Sequence, residues 1–161
     1  MDEEVAGSVY CGILISIPGV VAWVTGQPFV FPSLGPSAFM LSFRRDRTNS
    51  ARQVVGGHII GVVAGWIAYT VFALGLTLGN VDGFASLSGL RLSASGVSSV
   101  TLTAAGMAKT ETVHPPACAS TLIVSLGILT SIDELLIIIV SVVLVFVVHA
   151  VLSYFSVWKQ A

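Results

Sequence analysis

Gly26-Gln27-Pro28-Phe29-Val30-Phe31-Pro32-Ser33-Leu34-Gly35-Pro36 decides how this chain folds. The segment lies inside residues 5–43, a run of 39 residues without Asp, Glu, Lys or Arg. As one helix that run would extend about 58 Å at 1.5 Å per residue, nearly twice the ~30 Å hydrocarbon core of a bilayer. It must fold back. Three prolines in nine residues mark the place, since each removes a backbone donor and clashes with the preceding turn. The spacing predicts a first span near residues 5–25 and a short helix near 34–43, ending at Arg44-Arg45-Asp46-Arg47. A helix of about 10 residues is ~15 Å long. Its N-terminus would then lie near the bilayer midplane.

The rest of the chain has the same character. Of 161 residues, 55% are apolar and 9% charged, against about 25% charged in soluble domains. Four further charge-free runs cover residues 53–81, 92–108, 112–132 and 135–158, so that 130 of the 161 residues lie in such intervals. These runs are continuous, not alternating, which points to membrane helices and not to an outer-membrane barrel. A soluble catalytic domain has no chain left to form it. A net charge of −1 offers no basic face for nucleic acid. The acidic start, Met1-Asp2-Glu3-Glu4, is unlike the positive region of a secretory signal, so the first span is read as retained. Cys11 and Cys118 fall in apolar stretches and read as small hydrophobes, with no disulfide framework, metal spacing or cofactor motif.

The proline device recurs. Residues 92–108 form a span rich in Ser, Thr, Ala and Gly, followed by Lys109-Thr110-Glu111-Thr112-Val113-His114-Pro115-Pro116. A short helix is expected over residues 115–130, and a last span over 135–157. Pro36 and Pro116 are 80 residues apart, as are Val54 and Glu134, each at the start of a long span. The chain therefore reads as one all-α transmembrane domain over residues 1–161, a helical bundle of two pseudo-repeats near 5–78 and 92–158. Each repeat is a span, a short proline-broken helix and a span.

Positive charge sets the orientation. Arg44, Arg45, Arg47 and Arg52 make the 44–52 loop cytoplasmic. If both short helices cross, Lys109 and Lys159 fall on that side too, only Arg91 lies opposite, and the repeats are inverted. If the short helices re-enter and return, four spans form a parallel repeat. The inverted reading is preferred because it places six of the seven positive charges on the cytoplasmic side. Gly57, Gly61 and Gly65 recur every four residues, as do Gly75 and Gly79, a spacing that lets membrane helices approach closely. The 92–108 span, with Ser93, Ser95, Ser98, Ser99, Thr101 and Thr103, should be enclosed by its neighbours. Trp23 and Trp158 suit interfacial anchoring. Small-residue faces make a homo-oligomer in the plasma membrane the expected assembly.

Gly/Pro-interrupted segments in matching halves point to a transporter's binding site. Irregular backbone survives in hydrocarbon only where protein buries it or water reaches it. Two helix N-termini there would offer unpaired N–H groups and partial positive charge to an anion. The candidate contacts are Ser33, Gly35, Pro36, Ser37, His114, Pro115, Pro116, Ala117, Ser120 and Thr121, with Thr112 nearby. The hydroxyls equally suit simple helix capping. His114 is the titratable side chain at a break. It can donate to an anion, couple transport to protons, or merely satisfy a broken carbonyl. His58 and Glu111 are further candidates for proton coupling, although His58 and His149 also read as ordinary interhelical hydrogen-bonding residues. Glu111 also reads as an interfacial charge paired with Lys109.

Three segments in order carry a family resemblance: Phe31-Pro32-Ser33-Leu34-Gly35-Pro36-Ser37-Ala38, Val54-Val55-Gly56-Gly57-His58 and Thr112-Val113-His114-Pro115-Pro116-Ala117-Cys118-Ala119-Ser120-Thr121. Together they resemble the HPP family of integral membrane proteins, named for its His-Pro-Pro tripeptide, over nearly the whole chain. Cys118 stands where the family motif has glycine. The resemblance implies four membrane spans and nitrite transport; the residues alone imply a small inorganic anion. A pore for a neutral species such as nitrous acid or ammonia is the second expectation. A non-transporting assembly subunit is the third. An enzyme is not expected, since no nucleophile triad, HExxH or paired intramembrane carboxylates occur.

Overall fold

The computed structural model describes residues 2–43 and 50–155. Arg44, Arg45, Arg47, Trp158 and Lys159 lie outside the described residues, as does the expected end of the last span at residue 157. The described chain forms six α-helices: α1 (Glu3–Thr25), α2 (Val30–Phe43), α3 (Ala51–Ala68), α4 (Leu87–Thr110), α5 (Ala117–Ser125) and α6 (Ile132–Tyr154). No strand occurs among the described residues. Glu4–Thr25, Ala51–Asn80 and Ile132–Tyr154 are long and apolar enough to cross a bilayer, with mean hydropathies of 1.9, 2.1 and 3.3. This is an all-α integral membrane bundle.

The prolines act differently from the expectation. The chain turns at residues 26–29, where Gly26 takes a left-handed φ of 70° and donates its N–H to Ala22. Helix α2 then begins at Val30, earlier than expected, and runs through both Pro32 and Pro36. Pro32 falls in the first turn, where an N–H would lack a helical partner anyway. Pro36 removes one interior hydrogen bond without ending the helix. With 14 residues, α2 is about 21 Å long. Helix α5 is shorter than expected, with nine residues. It is stopped by Gly127 (φ 75°), packed against the Leu76 carbonyl where no side chain fits.

Helices α3 and α6 start in matching capping boxes. Ser50 and Gln53 cap each other's backbone at α3, and Ser131 and Glu134 do so at α6, each satisfying two orphan donors. Helix α3 widens into a π-turn over Tyr69–Ala73, and the Arg91 guanidinium donates to the Phe72 carbonyl there at 2.8 Å.

Helix α1 packs on α2, and α4 packs on α5. Helices α3 and α4 pack together, as do α6 and α1; α3 meets α5 and α6 meets α2. The ends that meet fix directions. A Cβ on Gly7 or Gly19 would strike Phe43 or Phe31, so α1 and α2 are antiparallel. Gly57, Gly61 and Gly65 face successively Thr112 and His114, then Ala117 and Thr121, then Val124, so α3 and α5 run side by side in one direction. Gln27 at the end of α1 donates to Glu134 at the start of α6, and Arg52 at the start of α3 donates to the Thr110 carbonyl at the end of α4. Leu14, Leu34, Val54, Val124, Ile138 and Val142 form the shared core. Between helices in lipid such packing is dispersion and close approach rather than water release. Helix α4 buries Ser95, Ser99 and Thr103 as expected, whereas Ser93 and Thr101 remain exposed.

Candidate functional site

Three side chains from three separate elements converge. Ser37 follows Pro36 on α2, His58 lies on α3, and His114 lies in the turn between α4 and α5. The Ser37 hydroxyl oxygen is 3.2 Å from His58 Nε2 and 3.1 Å from His114 Nε2, and the two imidazole centroids are 5.3 Å apart. Ser37 is 1% exposed, and both histidines are fully buried. His58 is seven residues from the start of α3, or about 10 Å of rise. The cluster therefore lies well inside the span and close to the middle of α3.

Glycine makes the approach possible. A Cβ on Gly57 would lie 2.9 Å from the Cβ of His114 and 3.1 Å from the Thr112 carbonyl. The His114 backbone N–H is held by the Met107 sulfur at 3.4 Å. Helix α4 thus fixes the histidine's backbone and α3 its side.

Donor and acceptor arithmetic assigns the protons. His58 Nδ1 is 2.8 Å from the Val54 carbonyl, which can only accept, so Nδ1 carries a hydrogen. Neutral His58 then has a bare Nε2, which accepts the single Ser37 hydroxyl proton. Ser37 in turn accepts from His114, whose hydrogen sits on Nε2. The other ring nitrogen, His114 Nδ1, is a bare lone pair, buried and without a partner. Ser120 Oγ is likewise buried and unpartnered. Such atoms are uncommon inside proteins and call for a reason.

The other expected contacts have local duties. Ser33 donates to Val30 at 2.9 Å. Thr121 sits 3.1 Å from the Ala117 carbonyl and 3.0 Å from Thr103. Thr112 pairs with Thr110 at 2.7 Å. The expected free N–H groups at the helix starts are engaged. Ala117, Cys118 and Ala119 donate to His114, Pro115 and Pro116 at 3.0, 3.0 and 3.1 Å, and Val30 and Phe31 donate to Gln27 and Pro28 at 3.2 and 3.1 Å. Glu111 is an exposed carboxylate 3.9 Å from Arg52. His149 pairs with the Tyr10 hydroxyl at 2.9 Å. Gly35 has open space where a Cβ would stand. Pro36, Pro115 and Pro116, with Phe39 and Met40, line one cavity of about 420 Å³, so the prolines paired in sequence also meet in space.

The family described as "HPP, transmembrane region" matches residues 3–160. No curated protein and no solved structure matches the chain.

Proposed function

The chain belongs to the HPP transmembrane family, and from that premise we propose that it carries a small inorganic anion, nitrite first, across the membrane. One observation carries this reading: Ser37 and His114, 77 residues apart and each beside a proline of its own half, meet at 3.1 Å inside the membrane region. Buried polar side chains there are costly and read as functional. The contact region is Ser37, His58 and His114, with Ser120 as the spare hydroxyl and the proline-lined cavity beside it. The protein is read as a transporter and not as an enzyme.

The helix directions support six crossings in an inverted repeat. Helices α1, α3 and α5 run one way and α2, α4 and α6 the other, and exchanging the two halves maps each helix pairing given above onto another. With the 44–52 loop cytoplasmic, both chain ends are cytoplasmic, in the plasma membrane. A homo-oligomer is part of the proposal. The exposed face of α4, with Ser93, Val97, Thr101 and Ala104, suits a second copy better than lipid.

A neutral substrate is the second reading, favoured by the bare acceptor on His114. The deciding experiment is nitrite uptake by the purified chain in liposomes. Uptake above that of protein-free vesicles supports the proposal and excludes a mere assembly subunit. No uptake by folded protein removes it.

A further inference from the structure

We infer that this site takes its anion only together with a proton, one for one, and that His114 Nδ1 is the atom that receives the proton. The inference rests on the anion reading above and specifies its energetics.

An anion needs a charged donor, and the donor the site can spare, the Ser120 hydroxyl, is neutral. Both helix starts have their first N–H groups on their own carbonyls. The Ser37 proton is engaged by His58, and the His114 Nε2 hydrogen by Ser37. The remaining ring nitrogen, His114 Nδ1, carries a lone pair, which repels an anion. The described arginines bond elsewhere than the cluster. Among the described residues Arg52 is exposed at the start of α3 on the Thr110 carbonyl, Lys109 is exposed at the end of α4, and Arg91 is on Phe72 at α4's other end.

The groups around His114 confirm where a proton can go. Helix α2 presents Ser37, α3 presents His58 and α4 presents Met107. The nearest titratable groups on its own segment are the exposed Glu111 and the half-buried Cys118. On α6, Asp133 and Glu134 sit in the first turn, and His149 is bonded to Tyr10. His58 cannot accept at Nδ1, which already holds its hydrogen against Val54. His114 Nδ1 is the open base. When a proton binds there, the N–H bond that forms becomes the charged donor the anion lacked, and the charges cancel. An unpaired ion buried in a medium of low dielectric is strongly disfavoured, so neither partner occupies the site alone. On release the N–H bond breaks and the proton leaves to water with the anion. A bound nitrous acid molecule with its O–H on Nδ1 has the same composition. Only the position of the proton along one hydrogen bond differs.

The test uses purified full-length chain in liposomes carrying an internal pH dye, with protein-free liposomes subtracted and sodium nitrite added outside. A valinomycin–potassium clamp sets the membrane potential. Expected are one proton entering per nitrite, rates unchanged when the clamp steps from 0 to about −100 mV, and a half-saturating nitrite concentration that falls as the outside is acidified. His114→Gln, which keeps a polar group but no basic nitrogen, should lose coupled uptake at least tenfold. Nitrite entry that follows the potential and brings no protons overturns the inference while leaving anion transport standing. Folded wild-type protein that moves no nitrite at all overturns the transport reading instead. The wild-type stoichiometry decides the matter even if His114→Gln fails to fold.

Discussion

Gly57 and His114 share one volume: a Cβ on the glycine would stand 2.9 Å from the Cβ of the histidine. The glycine beside His58 is thus as much a part of the site as the histidines. Gly57→Ala should push the His114 turn away from α3 and lengthen the Ser37–His114 contact. Its expected signature is a folded protein with a melting temperature lowered by overpacking worth about 1–3 kcal/mol, whose nitrite uptake falls several-fold. Unchanged uptake in Gly57→Ala would mean that the three side chains need not touch for transport.

Four residues on, the consequence is structural. A Cβ at Gly61 would meet the Thr121 hydroxyl at 2.6 Å and the Ala117 carbonyl at 3.0 Å. Leucine there cannot be accommodated by rotating one side chain, because backbone stands in the way. Gly61→Leu should give little folded protein on gel filtration in detergent. A monodisperse, active Gly61→Leu preparation would contradict the close α3–α5 approach.

Much of this was legible in the chain. Charge-free runs gave the helices, and proline spacing gave the two short ones, because both signals are local. The exact start of α2 was not legible. Proline reads as a breaker, yet Pro32 falls in a first turn where it removes no helical hydrogen bond, a position fixed only once the turn at residues 26–29 is known. Ser37 and His114 stood out because each flanks a break. His58 was a further candidate for proton coupling but was not placed with them, since a histidine inside an apolar span also reads as an ordinary interhelical hydrogen-bonding residue. The Val54-Val55-Gly56-Gly57-His58 sequence held the signal: Gly57 clears room for His114, and Val54 fixes the His58 hydrogen. The engaged N–H groups at the helix starts were invisible, because turn hydrogen bonds depend on geometry that composition does not encode.

Topology can be read by chemistry from outside. In a chain with Cys11→Ala and Cys118→Ala, single cysteines at Thr48 and at Asp133 should react with a membrane-impermeant maleimide from opposite sides of sealed vesicles. Reaction of both from one side would leave four spans and a parallel repeat. This arm tests the inverted arrangement independently of any transport.

The α6 capping box ties the two ends of that topology together. Glu134 accepts from the backbone of Thr130 and Ser131 at 2.8 and 3.0 Å and from Gln27 at 3.3 Å. Ser131→Ala removes the cap hydroxyl alone and should cost about 1 kcal/mol, seen as a modest fall in melting temperature with uptake intact. Glu134→Ala removes all three contacts and should destabilise more. Equal melting temperatures for the two variants would show that the Gln27 contact contributes nothing.

Substitutions at Ser37 distinguish a binding site from a packing feature. Ser37→Ala deletes the hydroxyl that links the two imidazoles, one hydrogen-bonding group worth about 1 kcal/mol, so uptake should weaken roughly fivefold. The loss leaves His58 Nε2 and His114 Nε2 without their shared partner; Val54 still fixes the His58 hydrogen, but His114 can then change tautomer, so the proton-to-nitrite ratio should become erratic before the rate collapses. Ser37→Asp should be far worse. A carboxylate there would accept hydrogen bonds from the imidazoles and stabilise an extra proton, taken from water, on one of them, so that the pair stays positively charged and the arrangement that proton and anion make together is occupied intramolecularly. Uptake should vanish while the fold persists, since the buried charge now has a partner. Wild-type uptake by both Ser37→Asp and His114→Gln, in protein with a normal melting curve, would make the contact between the two halves a hinge or a packing joint and move the site elsewhere.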